Sequence, residues 1–251
     1  MANELIMVDG QTLNGSDRFG SWKTNSLEGW WDSPDAKDQS EEHENADGAD
    51  DQPSYYKARY PTITGRLIAP SHAVLHEAAN RFTGLVRRKA RMQVSGHGPT
   101  QWADVKRASG LTFVPVTATV AQWQLRLKCP DPRKFGELRE FQATVGAPAK
   151  VFHRGNHDGL PVVEVVGSMP GGYQLVFVGG TVWVKQPLVS GTPHLIDYNT
   201  GRLTVGGVVV HGQFGTTNIQ PLPPGTDTNA SIAPVTTGTG TATFKVLDTF
   251  I

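Results

Sequence analysis

The residues best spaced for chemistry are His153, His157 and Asp158, within His153-Arg154-Gly155-Asn156-His157-Asp158. Two imidazoles and a carboxylate this close together are donors that zinc accepts. No further ligand follows at helical or hairpin spacing, so the stretch reads as a polar turn. Cys129 is the only cysteine, which excludes an internal disulfide. As a nucleophile it would need an adjacent base, yet it stands between a strand end and Pro130. Asp47-Gly48-Ala49-Asp50-Asp51 resembles a calcium loop but lacks the alternating oxygen ligands and closing Glu of an EF-hand. Tyr173 and Trp183 offer flat faces on which a sugar can stack, although core packing accounts for both. GxSxG, HExxH, CxxC, GxGxxG and the Walker phosphate loop are all absent. The expectation is no catalytic residue, no cofactor site, no metal site and no enzyme.

The elements that position these residues follow from composition. The chain has 251 residues, 28 Gly and 17 Pro, with 38% hydrophobic and 18% charged residues. That mixture favours many short strands joined by turns, and the length suits two domains. Formal net charge is zero, so bulk electrostatics point to no sequence-specific nucleic acid partner. No apolar run approaches the ~20 residues of a membrane span. The opening MANELIMVDGQ lacks the features of a signal peptide, so synthesis in the cytoplasm is expected. The charges are unevenly spread. Residues 32–51 carry nine acids and one base, Lys37. Bases outnumber acids from Lys57 to Arg139, with dense spots at Arg87-Arg88-Lys89 and Arg133-Lys134. Complementary surfaces of opposite sign are one reading, and a solvated acidic loop beside an ordinary basic face is the other.

Along the chain, residues 4–8 read as a strand and 20–53 as a long polar segment ending in an acidic loop at 32–53. A helix is expected over 71–89. Ser71 caps it, and Val74, Leu75, Ala78, Ala79, Phe82, Leu85 and Val86 follow the 3.6-residue period. Strands follow near 91–94, 100–107 and 111–117. Over 120–128, Trp123, Leu125 and Leu127 alternate with Gln122, Gln124, Arg126 and Lys128, so one face is buried and one is wet. Pro130 and Pro132 end that strand. An exit strand at 136–144 leads to a domain boundary at 145. Beyond it, short strands are expected at 162–166, 173–178, 181–185, 194–198, 202–205, 208–211 and 241–246. Gly179-Gly180 and Asn199-Thr200-Gly201 supply hairpin turns, and 226–239 reads as a long loop. Short strands at this spacing make a β-sandwich.

Three stretches, in order, resemble the distal tail (Dit) proteins of long, flexible-tailed bacteriophages. They are Trp30-Trp31-Asp32-Ser33-Pro34 with the acidic loop; the 121–127 strand running into Cys129-Pro130-Asp131-Pro132-Arg133-Lys134-Phe135-Gly136; and Gly155-Asn156 ahead of Pro161 and the 162–166 strand, then Leu195-Ile196-Asp197. The tryptophan-rich opening is similar to versions in actinobacteriophage minor tail proteins. The resemblance implies a mostly β chain with one helix. Its N-terminal part, 1–145, would be a β-barrel-like, tail-tube-related ring domain. Its C-terminal part, 146–251, would be a galectin-like or carbohydrate-module-like β-sandwich, whose last strand returns to the first domain in some relatives.

The same resemblance implies a virion protein at the distal end of the tail. Six copies would close a ring that joins the major tail tube protein to the tail-tip hub, contacts tape measure and receptor-binding proteins, and lets DNA pass at host entry. A different function class, a glycan-binding module on the C-terminal sandwich, is open to Trp183 and Tyr173.

Overall fold

A strand of nine residues, Val120–Lys128, organises the first part of the chain in the computed structural model, which describes residues 4–37, 47, 55–96 and 98–251. Most of the acidic loop, and all of the calcium-loop candidate except Asp47, lie outside the described residues. Ala121, Trp123, Leu125 and Leu127 are buried along this strand and the alternate positions are not, as the period of two requires. It pairs antiparallel with Thr62–Ile68 and Thr112–Pro115, and its last two residues pair with Gln101–Arg107. Outward from there, Thr62–Ile68 pairs with Gly20–Glu28, which pairs with Gly15–Asp17. On the other side Gln101–Arg107 pairs with Ala90–Ser95, then Leu5–Val8, then Gln11–Thr12.

The helix spans His72–Thr83, not 71–89. Its start is as read: Ser71 accepts a hydrogen bond from the Val74 N–H at 3.3 Å. Its end comes earlier because Val86 sits at φ +52°, where a right-handed helix cannot continue. The Arg107 guanidinium donates to the Thr83 and Leu85 carbonyls at 2.7 and 2.6 Å, satisfying acceptors that a helix end exposes. The Val86 N–H donates to Asp9 at 2.9 Å. Arg87, Arg88 and Lys89 thus belong to the connection beyond the helix. Leu75, Ala78 and Phe82 face the sheet. The Phe82 ring lies 5.9 Å from Trp22 and 5.6 Å from Trp123, forming the aromatic centre of this core.

The chain divides into two compact units, 1–134 with 251, and 135–250. The division falls ahead of the expected boundary at 145 because the strand Lys134–Thr144 pairs with Thr239–Phe250, a strand of the second unit. Thr239–Phe250 also pairs with Val162–Ser168, followed by His194–Asp197, Arg202–Val205 and Val208–Val210. A second sheet runs Ala149–Val151, Thr228–Pro234, Tyr173–Phe177, Gly180–Val184, Phe214–Thr217. Phe177 of one sheet stacks on Phe244 of the other at 5.5 Å, so the unit is a two-sheet sandwich. Thr228–Pro234, expected within a loop, is a central strand.

The Asn199-Thr200-Gly201 turn forms as read, with Gly201 at φ +63°. Asp197 fastens it, accepting from the Asn199 N–H and the Thr200 hydroxyl, each at 2.9 Å. The other hairpin is displaced by one residue. Phe177 pairs with Gly180, so the turn residues are Val178 and Gly179, at φ +50° and +72°.

Candidate functional site

The motifs at 30–34 and 129–136 meet through two buried cations that sequence reasoning did not single out. Arg59 is 3% exposed and Lys134 is 3% exposed. Arg59 donates from Nη1 to the carbonyls of Gly29, Trp30 and Asp32, and from Nε to the Pro132 carbonyl at 3.1 Å. Lys134 Nζ donates to the same Trp30 carbonyl at 2.9 Å and lies over the rings of Trp30 and Trp31. Five carbonyl bonds from two cations thus tie the tryptophan turn to the strand end that the two prolines terminate. Burial, reinforced by the neighbouring Arg59 charge, lowers the Lys134 ammonium to about 8. The only local signal for either residue was the basic spot Arg133-Lys134.

Trp30 is fully buried, whereas Trp31, Tyr55, Tyr56 and Tyr60 are exposed. Ala36–Lys37 pairs with Tyr55–Tyr56, so Lys37 lies opposite Tyr55 at the base of the acid-rich segment. Exposed aromatic residues therefore flank both ends of that segment, the composition that protein interfaces concentrate at their centres. Arg87, Arg88, Lys89 and Lys106 form an exposed basic surface in the same unit, where Lys89 bridges Asp104 at 2.6 Å.

The structure places the described sequence candidates as follows. Cys129 is fully buried, and burial pushes its thiol up to about 12, so it is not a thiolate at neutral pH. His153 is buried; its Nδ1 accepts from the Gly155 N–H at 3.0 Å and its Nε2 faces the Leu222 carbonyl at 3.2 Å. Because Nδ1 accepts, Nε2 carries the hydrogen and donates. Both ring nitrogens are engaged, so the ring fixes a turn. His157 is half-buried, with Nδ1 at 3.3 Å from the Asp158 carbonyl. Among the described residues, no group of three or more His, Cys, Asp or Glu side chains converges on a metal position. Tyr173 is in the sandwich core with its hydroxyl 3.0 Å from His194 Nδ1. Trp183 is on the opposite face of its strand from the core residues Val182 and Val184, packed on Gly215. The two do not form one platform. No helix among the described residues is long and apolar enough to cross a membrane.

No protein-family model matches this chain, and no curated protein matches it by sequence. The fold, a helix-bearing β unit followed by a β-sandwich, is one found in solved structures of phage adsorption machinery. The chain is similar to the Dit protein of phage SPP1, described as a paradigm of the hub adsorption apparatus in Gram-positive-infecting phages. That likeness has a TM-score of 0.75 at 15% identity and covers 99% of each chain. It is also similar to a chain of the phage P2 baseplate in its activated conformation with calcium, at TM-score 0.53 and 6% identity, over 96% of this chain and 97% of that one. The strontium form gives the same values.

Proposed function

We propose that this protein is a non-catalytic component of a phage tail tip, a distal tail protein that builds a ring between the tail tube and the tail-tip hub. The observation carrying this reading is the agreement of fold with SPP1 Dit over 99% of both chains, both units together and in order. Two further features support it. Among the described residues, Cys129, His153 and Tyr173 are buried within the fold, and the first unit presents exposed aromatic residues beside an acid-rich segment and a separate basic surface. A closed ring repeats one head-to-tail interface and therefore needs two unlike patches per subunit. Six copies, passage of DNA through the ring, and contacts with the tube, hub, tape measure and receptor-binding proteins belong to the same proposal. Electron microscopy of the purified full chain tests it. Six-fold rings are expected; a monomer at high concentration would count against it. The burial of Tyr173 removes one of the two aromatic residues on which the glycan-binding alternative rested.

A further inference from the structure

On the exposed face of the helix His72–Thr83, two histidines stand one turn apart. The rings of His72 and His76 meet edge to face, with centroids 4.4 Å apart and an interplanar angle of 85°. Their Nε2 atoms are 3.0 Å apart. His72 Nδ1 lies 3.1 Å from the Ala118 carbonyl. A carbonyl only accepts, so His72 Nδ1 carries the hydrogen and its Nε2 keeps a free lone pair. His76 Nε2 then donates to that lone pair. The same nitrogen of each ring thus stands beside the other at the surface.

That geometry fits a chelate. Imidazole nitrogens bind first-row cations at about 2.0–2.1 Å. Two such nitrogens in adjacent coordination positions are then about 2.9 Å apart around a square or octahedral ion and about 3.4 Å around a tetrahedral one. The separation of 3.0 Å lies within this span. Binding requires a tautomer change at His76, moving its hydrogen from Nε2 to Nδ1 by exchange with solvent, and a turn of the exposed rings that points both lone pairs at the ion. The Ala118 carbonyl orients the first ring as outer-shell acceptors do in metal sites. The nearby Glu77 carboxylate is 3.3 Å from the Arg18 guanidinium, and no third side-chain ligand converges among the described residues.

We propose that His72 and His76 form a surface site for one divalent cation of the zinc, nickel or copper class, with water in the remaining positions. The sequence reading weighs metals only at 153–158 and 47–51 and takes this helix by its apolar period; the i, i+4 histidine pair is the signal it passes over. The chelate requires the helix, so binding is coupled to the stability of the first unit.

Calorimetric titration of the tag-free full chain with Zn²⁺, repeated with Ni²⁺, tests the site, alongside His72→Gln and His76→Gln. Both positions are exposed, and circular dichroism confirms that each variant is folded. One saturable site per chain is expected. Either substitution should weaken it about tenfold or more, since even losing an outer-shell partner costs 10–100-fold. The wild-type Tm should rise by roughly 5–10 °C at a hundredfold excess over Kd, and at the same cation concentration the variants' Tm should rise by about half as much or less. Absence of saturable binding to the wild type, or wild-type affinity in either His72→Gln or His76→Gln, overturns the proposal.

Discussion

The Asp248 carboxylate is held by three hydrogen bonds inside the second unit. Arg139 grips it at 2.8 and 3.0 Å, and the Arg154 N–H reaches it at 2.7 Å. Burial by itself raises this carboxyl, but the Arg139 and Arg154 bonds outweigh that and hold it below its ordinary 3.8. Asp248→Ala leaves a guanidinium that is 15% exposed with Glu137 as its remaining partner. A loss of about 3 kcal/mol is expected by denaturant unfolding. His194 adds a second acid-sensitive group, because burial lowers its imidazole from 6.5. Both folded values are depressed, so the unfolded chain takes up protons first as pH falls. The His194 contribution is complete above its unfolded value and declines below pH 6.5; that of Asp248 declines only below 3.8. Thermal melts of His194→Gln should lack the first decline, and a wild type flat in Tm between these values would contradict it. Val178 poses the opposite case. A β-branched residue at φ +50° in a two-residue turn is strained. Val178→Asn should stabilise by about 0.5–1 kcal/mol, the relief of strain outweighing the partly buried contact that the valine side chain gives up. A lower Tm in this variant would refute the turn assignment.

At the scale of elements, Gly65 shows why the central strands of the first unit pack so closely. A Cβ there would collide with the Trp123 ring and the Lys23 carbonyl. Gly65→Ala should therefore cost about 2–3 kcal/mol, through displacement of Trp123 from the Trp22–Phe82 cluster; tryptophan fluorescence and denaturant melts report both effects, and an unaltered spectrum and midpoint would rule this out. The same two units show what a sequence discloses. The strand 120–128 was legible because four of its side chains alternate into a core, and the turn at 199–201 because a glycine sits where the backbone is left-handed. Gly20–Glu28 was hidden. It buries only Trp22 and Leu27, and a bulge between Thr24 and Ser26 breaks the period of two. Thr228–Pro234 was read as loop because Ala230 and Ile232 are its sole buried residues, yet it lies between Tyr173–Phe177 and Ala149–Val151. Its neighbours, distant in sequence, make it a strand. Arg59 and Lys134 were illegible for a related reason: the carbonyls that justify burying a cation come from turns as much as 104 residues away. Gly155 is half of the Gly-Asn motif, and the fold supplies the physical ground: a Cβ there would collide with the Thr249 backbone.

At the scale of the whole molecule, the open question is which surfaces meet when copies assemble. The acid-rich stretch begins and ends beside the pair Lys37–Tyr55, so residues 38–51 can be removed while Gln52-Pro53-Ser54 closes a three-residue hairpin loop. Every buried residue among the described residues lies outside 38–51, and the variant's melting temperature is expected to stay near that of the wild type. Nine acids within 32–51 face a requirement for complementarity, and the exposed Arg87, Arg88, Lys89 and Lys106 supply charge of the right sign on the same unit. If the ring reading holds and these patches pair between copies, the deletion weakens assembly. Charge reversal by Arg87→Glu with Arg88→Glu weakens it similarly. Added salt weakens the wild type toward the variants, because exposed charges are screened beyond a Debye length of about 8 Å at physiological ionic strength. Sedimentation velocity across a salt series measures all three. Rings that persist unchanged after both the deletion and the reversal would eliminate this pairing while leaving the ring proposal intact, and the interface would then be sought in the exposed Trp31, Tyr55, Tyr56 and Tyr60.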